Sequence, residues 1–267
     1  VEDTRVHGVL FYDAAASRCM EQRLLGEEPL AIEVQGRPYS VVMRTPGEEI
    51  AHVAGFCLGE GIVDGRQDFA GIGYCEDADA NVVIVNLTEA RRKKVAPLLE
   101  RRGFVSQTSC GICGKEMVTE LCQSLEPLTD RSRFTVGQAE RCLGEIAGHQ
   151  VLRKQTKASH GVALFDGQRN LLVVAEDVGR HNALDKAIGK LLLARQLDRV
   201  RMAVLSSRVS YELVQKAARA RLPILVSVSR PTALAVELAG QLNMTIACAG
   251  ENSGLYVYCA GQRLVQD

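Results

Sequence analysis

The sharpest chemistry in this 267-residue chain lies in Thr108-Ser109-Cys110-Gly111-Ile112-Cys113-Gly114-Lys115. Two thiols three positions apart meet if the backbone turns, and the flanking glycines permit the turn. The thiolate is the reactive form, and a following helix N-terminus or a cation such as Lys115 would lower its pKa. Such a pair can exchange disulfides, ligate a metal, or carry a sulfane sulfur as a persulfide. A tetrahedral zinc site needs four ligands, usually with a second closely spaced pair. The chain has no second such pair, and Cys122 and His149 stand at undistinguished spacings, so no metal site is expected. Thioredoxin-like exchange expects the pair directly after a strand within a βαβ pattern, an order met here only in part. A polar, glycine-rich loop suits two buried structural thiols poorly.

Glu176-Asp177-Val178-Gly179-Arg180-His181-Asn182-Ala183-Leu184-Asp185-Lys186 follows a strand pattern and opens a helix. Ligands bind at such strand ends in open α/β sheets. His181 and Asp185, four apart, share a helix face and can hydrogen-bond, as can Asn182 and Lys186. The bland alternative is a capped helix with surface ion pairs. Ser206-Ser207-Arg208-Val209-Ser210 again follows a strand, and Ser227-Val228-Ser229-Arg230-Pro231-Thr232 repeats the arrangement. Hydroxyls and an arginine at a helix start suit phosphate. Two such loops at one end of neighbouring strands point to one ligand with several phosphates. His160, heading another strand, could line the same site, or be structural.

The elements that position these groups follow from the pattern. Pro29 to Val34, a turn, and Tyr39 to Met43 form a hairpin, and Thr45-Pro46 starts a helix running to about Leu58. Asn81 to Leu87 is a strand, and Thr88-Glu89 opens a basic helix to about Arg102. Phe104 to Lys115 is a loop, and Glu116 to Leu125 a helix. Val136 to His149 is helical. Strands then alternate with helices to the end, which predicts a layered α/β domain with a partly parallel sheet. The expected division is a smaller α+β domain over 1–135, ending in the cysteine loop, and an α/β domain over 136–267.

Bulk properties exclude several classes. Thirty-two basic residues balance thirty-two acidic ones, so no global field favours nucleic acid or a membrane surface. No apolar run is long enough for a membrane helix, and the first residues do not read as a secretory signal. Nine cysteines, an odd number in a chain of this size, fit a reducing cytoplasm better than a disulfide scaffold. Cys57 and Cys248, in apolar surroundings, read as small buried hydrophobes.

Over nearly its whole length the chain resembles the formate dehydrogenase accessory sulfurtransferases, the FdhD family. The resemblance rests on Glu28-Pro29-Leu30-Ala31-Ile32, Val42-Met43-Arg44-Thr45-Pro46-Gly47, Gly55-Phe56 with Gly59-Glu60-Gly61-Ile62, Ser109 to Lys115, Glu176 to Lys186, and Arg208-Val209-Ser210-Tyr211-Glu212. It implies a cytoplasmic sulfurtransferase, commonly a homodimer, that takes persulfide sulfur from a cysteine desulfurase. The sulfur passes to the molybdenum (or tungsten) bis-molybdopterin guanine dinucleotide cofactor for formate dehydrogenase, and GDP would mimic part of that ligand. Cys110 maps to the sulfur carrier, with Cys113 supporting. Asp177, Arg180, His181, Asn182, Ser207 and Arg208 would line the cofactor site. The resemblance also implies a cytidine-deaminase-like, three-layer C-terminal domain without that fold's zinc signature. By family position alone, Ala249, Gly250, Glu251, Asn252, Ser253 and Gly254 belong to the cofactor site as well. Here the chain departs from the family: an aromatic and two arginines are missing, and Glu251 would repel phosphate. Departures also occur at Thr156 to His160, at Ser207 and at Arg230. The alternatives are a non-catalytic cofactor-binding chaperone and a zinc-dependent nucleoside deaminase-like enzyme.

Overall fold

The computed structural model describes residues 2–74, 81–101 and 125–267. The cysteine pair, the loop around it and nearly all of the helix expected over 116–125 lie outside the described residues.

The chain enters through an antiparallel ribbon, β1 (Thr4–Tyr12) and β2 (Ser17–Leu25), whose side chains are mostly exposed. Without a core to impose alternation, its sequence carries no strand pattern. β3 (Glu28–Val34) and β4 (Arg37–Arg44) form the expected hairpin. Gln35 and Gly36 both take positive φ, 56° and 69°, the type I′ turn that matches strand twist. β5 (Phe69–Tyr74) and β6 (Val82–Leu87) complete a sheet in the order β4-β3-β6-β5. Leu30, Ile32, Val34, Val83, Val85 and Leu87 are buried at every second position, so one face meets the core.

Helix α1 (Glu49–Gly59) begins later than its sequence predicts. Thr45 does not cap it. Gly47 and Glu48 take left-handed φ of 101° and 64°, and Thr45 is fully buried in other bonds described below. Helix α2 spans Glu89–Arg101. Helices α3 (Val136–His149) and α4 (Val151–Thr156) follow, and α3 opens on a capping box between Thr135 and Gln138.

The second sheet is mixed, as expected for an α/β fold. β8 (His160–Asp166), β9 (Leu171–Asp177), β10 (Val200–Leu205), β11 (Ile224–Ser227), β12 (Thr245–Ala249) and β13 (Leu255–Cys259) lie in the order β13-β12-β11-β10-β8-β9. β10, β11 and β12 run parallel. β7 (Phe134–Thr135) and β14 (Leu264–Val265) form a short separate pair. Alternation sorts the second sheet's side chains to two faces. Ala163, Phe165, Met202, Val204, Ile224 and Val226 pack with Ala139, Cys142 and Ile146 of α3. Val162, Leu164, Ala203, Leu205, Leu225 and Ile246 join the core that includes α1, α5 (Arg180–Leu193), α6 (Tyr211–Arg219) and α7 (Ala233–Gln241).

That core is continuous with the apolar face of the first sheet. The two halves meet where α1 crosses α5. A Cβ on Gly55 would run into the Asp185 carbonyl, and one on Gly189 into the Ala51 carbonyl, so both glycines are what lets the backbones touch. Cys57 and Cys248 are fully buried, as their surroundings imply. Among the described residues no helix is long and apolar enough to cross a membrane.

Candidate functional site

The chemistry-bearing loops gather along one edge of the second sheet. His160 opens β8 directly opposite Asp177, the last residue of β9. The loops after β10 and β11 are bonded to each other, Val228 N to Leu205 O at 3.0 Å and Thr232 N to Val209 O at 3.0 Å. The loop after β12 lies at the same edge, because β12 runs parallel to β11. The sequence therefore brings its two serine–arginine loops and the Glu176–Lys186 segment to one place, as their position after strands predicts.

Arg180 and Arg208 dominate the edge. Burial lowers the Arg180 pKa, and the neighbouring Arg208 guanidinium lowers it further. Arg180 Nε is buried with no hydrogen-bond partner, and neither guanidinium forms an ion pair with a described residue. Burial also lowers the pKa of His160, followed by the charges of Arg180, Arg153 and Arg208. Burial, then Arg180 and Lys216, depress His181 to about 4. Both imidazoles are therefore neutral near pH 7. Helix α5 starts at Gly179 and α6 at Ser210 without a side-chain cap, so two positive helix ends add to the same field. The arrangement is a cluster of cations and donors in which Glu212 is the one carboxylate acting on both Arg180 and His181 among the described residues, so positive charge is in excess.

His181 Nε2 lies 3.2 Å from Ser210 Oγ and 3.8 Å from Glu212 Oε2. Both contacts fall on one ring nitrogen. A hydrolytic serine–histidine–acid relay uses the two nitrogens separately, so this trio is not one.

Other residues of the segment turn inward. Asp177 is fully buried beneath the edge and accepts from Thr45 N (3.0 Å), Gly179 N (2.8 Å) and Asn182 Nδ2 (2.9 Å). Lys186 Nζ pairs with it at 2.7 Å. Asn182 Nδ2 also donates to Met43 O at 2.7 Å. The pairings expected along the helix face do not form. Asp185 instead receives Lys216 Nζ at 2.8 and 2.9 Å, and Lys186 reaches Asp177, because both side chains point into the core rather than along the surface. Glu176 caps α4, accepting from Leu152 N, Arg153 N and Ser159 Oγ at 2.8, 2.9 and 2.6 Å, which sets Arg153 near His160.

Ser206 Oγ accepts from Gly161 N at 2.8 Å, tying its loop to β8. Ser207 Oγ donates to Arg208 O at 3.0 Å, and Ser227 Oγ to Ser229 O at 2.6 Å. Ala249 to Gly254 forms the turn from β12 into β13, closed by Gly250 N to Gly254 O at 2.8 Å, with Gly254 at φ 81°. Glu251 sits on this turn 3.4 Å from Arg230, whose guanidinium lies 5.5 Å over the Tyr256 ring. Asn252 and Ser253 are exposed beside it. Sequence reasoning missed Thr45, Arg153 and Tyr256. Thr45 resembles a helix cap, and the other two stand in segments with no motif.

Comparison with known proteins agrees with this architecture. The model of the FdhD/NarQ family matches residues 25–265. A protein of Bordetella bronchiseptica called sulfur carrier protein FdhD is 36% identical over 241 residues, covering 89% of this chain and 86% of that one. Its namesake in Streptomyces coelicolor is 34% identical over 249 residues, covering 90% and 88%. A crystal structure of a putative formate dehydrogenase accessory protein from Desulfotalea psychrophila superposes with a TM-score of 0.79 at 23% identity, over 99% of this chain and 100% of that one. The chain belongs to the FdhD/NarQ family.

Proposed function

We propose that this protein is a sulfur carrier for formate dehydrogenase maturation, holding sulfur on Cys110 and binding the phosphates of a nucleotide-bearing cofactor at the strand edge. The observation that carries the binding half is the Arg180–Arg208 pair, two adjacent guanidiniums that form no ion pair with a described residue and are offset only by the more distant charge of Glu212. An unpaired, partly buried cation pair is stabilised by a polyanion. The carrier half is supported by the Cys110–Cys113 spacing and by relatives named sulfur carrier protein FdhD.

The acceptor in this reading is molybdenum or tungsten bis-molybdopterin guanine dinucleotide, bound as substrate. Arg180, Arg208 and the ends of α5 and α6 would hold its phosphates. In loading, the Cys110 thiolate attacks the outer sulfur of a desulfurase cysteine persulfide. A new S–S bond forms on Cys110, the desulfurase S–S bond breaks, and the desulfurase cysteine leaves as a thiolate. Cys113 supports Cys110. The protein works in the cytoplasm as a homodimer, between a cysteine desulfurase and formate dehydrogenase. The helix–sheet–helix layering around the second sheet supports the deaminase-like reading of that part of the fold.

The test is mass spectrometry of the full chain after incubation with a cysteine desulfurase and cysteine. Cys110 should gain the mass of one sulfur atom, and Cys110→Ala should not support formate dehydrogenase activity. No adduct on either thiol would remove the carrier role. An inactive adduct pattern with full activity of Cys110→Ala would leave a non-catalytic cofactor chaperone.

A further inference from the structure

The strand-edge cations are held in place from the other half of the molecule. Thr45, in the segment leaving β4, is fully buried. Its amide donates to Asp177 Oδ2 at 3.0 Å, and its Oγ1 accepts from Val178 N at 3.0 Å. Asp177 Oδ1 accepts from Gly179 N at 2.8 Å. Lys186 Nζ bridges Thr45 O (2.8 Å) and Asp177 Oδ2 (2.7 Å). Met43 O receives Asn182 Nδ2 at 2.7 Å. The two amides immediately before Arg180 are thus fixed, one by Thr45 and one by Asp177, and the residue two beyond it is fixed by Met43.

We propose that Thr45 and Asp177 are positioning residues that clamp the Val178–Asn182 turn and so aim Arg180 at the anion. Both are fully buried, so neither touches a ligand at the edge. Simple adhesion between the two halves is already supplied by the α1–α5 crossing, with its buried glycines and continuous apolar core. The polar bonds from Met43 and Thr45 fall instead on the turn that carries Arg180 and on the helix it opens. Binding groups must be held to within a fraction of an ångström by their supporting shell, and a fixed turn supplies that. The proposal rests on the anion-site reading above.

The experiment compares Thr45→Val, which removes the hydroxyl at nearly constant shape, with Thr45→Ser, which keeps it. Titration of the full chain with inorganic pyrophosphate reads binding, and hydrogen exchange of the peptide over 176–183 reads the turn. Thr45→Ser should behave as the original. Thr45→Val should weaken pyrophosphate at least about tenfold and speed exchange at Val178 and Gly179. Ile188→Val, in the buried face of the same helix, should lower the melting temperature and leave pyrophosphate binding alone. Equal weakening by Ile188→Val would reduce the effect to stability and overturn the proposal. Unchanged exchange at Val178 and Gly179 in Thr45→Val would overturn it whatever the binding shows. If the original chain and Arg180→Ala bind pyrophosphate alike, the anion-site reading falls, and the exchange measurement alone still decides the clamp.

Discussion

Lys216 reaches across from α6 to place its Nζ 2.8 and 2.9 Å from the two carboxylate oxygens of Asp185 on α5, with both side chains nearly removed from solvent. Lys216 also stands 5.3 Å over the Phe56 ring. Its pKa moves up despite the opposing cost of burial, because Asp185 holds the charge. Breaking a buried pair from one side leaves an uncompensated charge. Lys216→Met should cost about 3–5 kcal/mol of stability, and Lys216→Met combined with Asp185→Leu should recover much of it. Urea unfolding of the four combinations checks this, and full additivity of the two single losses would contradict it.

The α1–α5 crossing yields a second prediction. At Gly189 a methyl group meets the Ala51 backbone, which cannot swing away as a side chain could. Gly189→Ala should therefore destabilise by about 1–3 kcal/mol or more, although alanine favours helix. A melting temperature equal to or above the original would show that the helices separate cheaply.

His52 sets an acid limit on stability. It is fully buried, and burial followed by the charges of Lys186, Lys216 and Arg44 lowers its pKa well below the ordinary value. The folded state keeps it neutral, while the unfolded chain takes a proton below about pH 6.5. The unfolded state then binds more protons, so stability falls as pH drops from there toward the depressed folded pKa and is flat above it. His181, depressed to about 4, adds the same sign over a similar window. His52→Leu should reduce the slope by up to one proton, about 1.4 kcal/mol per pH unit. Parallel denaturation curves at pH 5 and pH 7.5 measure it, and an unchanged slope would exclude His52 as a source.

Arg208→Ala separates binding from folding. Removing it relieves Arg180 of a like charge, so stability should hold or rise slightly. Affinity for GDP or pyrophosphate should fall about tenfold, the scale of one lost charge-assisted contact. A parallel loss of both would mark Arg208 as structural.

Glu251→Arg tests the turn between β12 and β13. Glu251 now engages Arg230 at 3.4 Å on an exposed surface. Reversing its charge should free Arg230 and strengthen GDP binding several-fold at low salt, with the gain shrinking as salt rises. No change would place this turn outside the ligand's reach.

Much of the frame was legible along the chain. Alternation from Pro29 to Val34 and the valine-rich run from Asn81 to Leu87 mark strands, and both are there, each with one buried face. The serine–arginine loops announced themselves by following strands, and parallel β10 and β11 bring them to one edge. The β1–β2 ribbon was not legible, because exposed residues such as Leu10 and Tyr12 answer to no core.

What the sequence determined by itself was local and compositional: the Cys110–Cys113 spacing, the alternation of strands and helices, and the family motifs. What only the tertiary structure decided was the direction in which each polar side chain points. Asp177, Asn182 and Lys186 stand in the same motif as Arg180 and His181, yet a helix turns every residue by about 100°. That rotation sends Asn182 and Lys186 inward to Met43 and Thr45, and the end of β9 turns Asp177 to Thr45 as well, all more than 130 residues away in the chain. Arg180 remains at the edge, beside Arg208. Thr45, followed by Pro46 and two acids, has the local pattern of a helix cap. Its partners, Asp177 and Val178, are 132 and 133 residues distant, and no local pattern encodes a bond that exists only once two sheets have closed on one core.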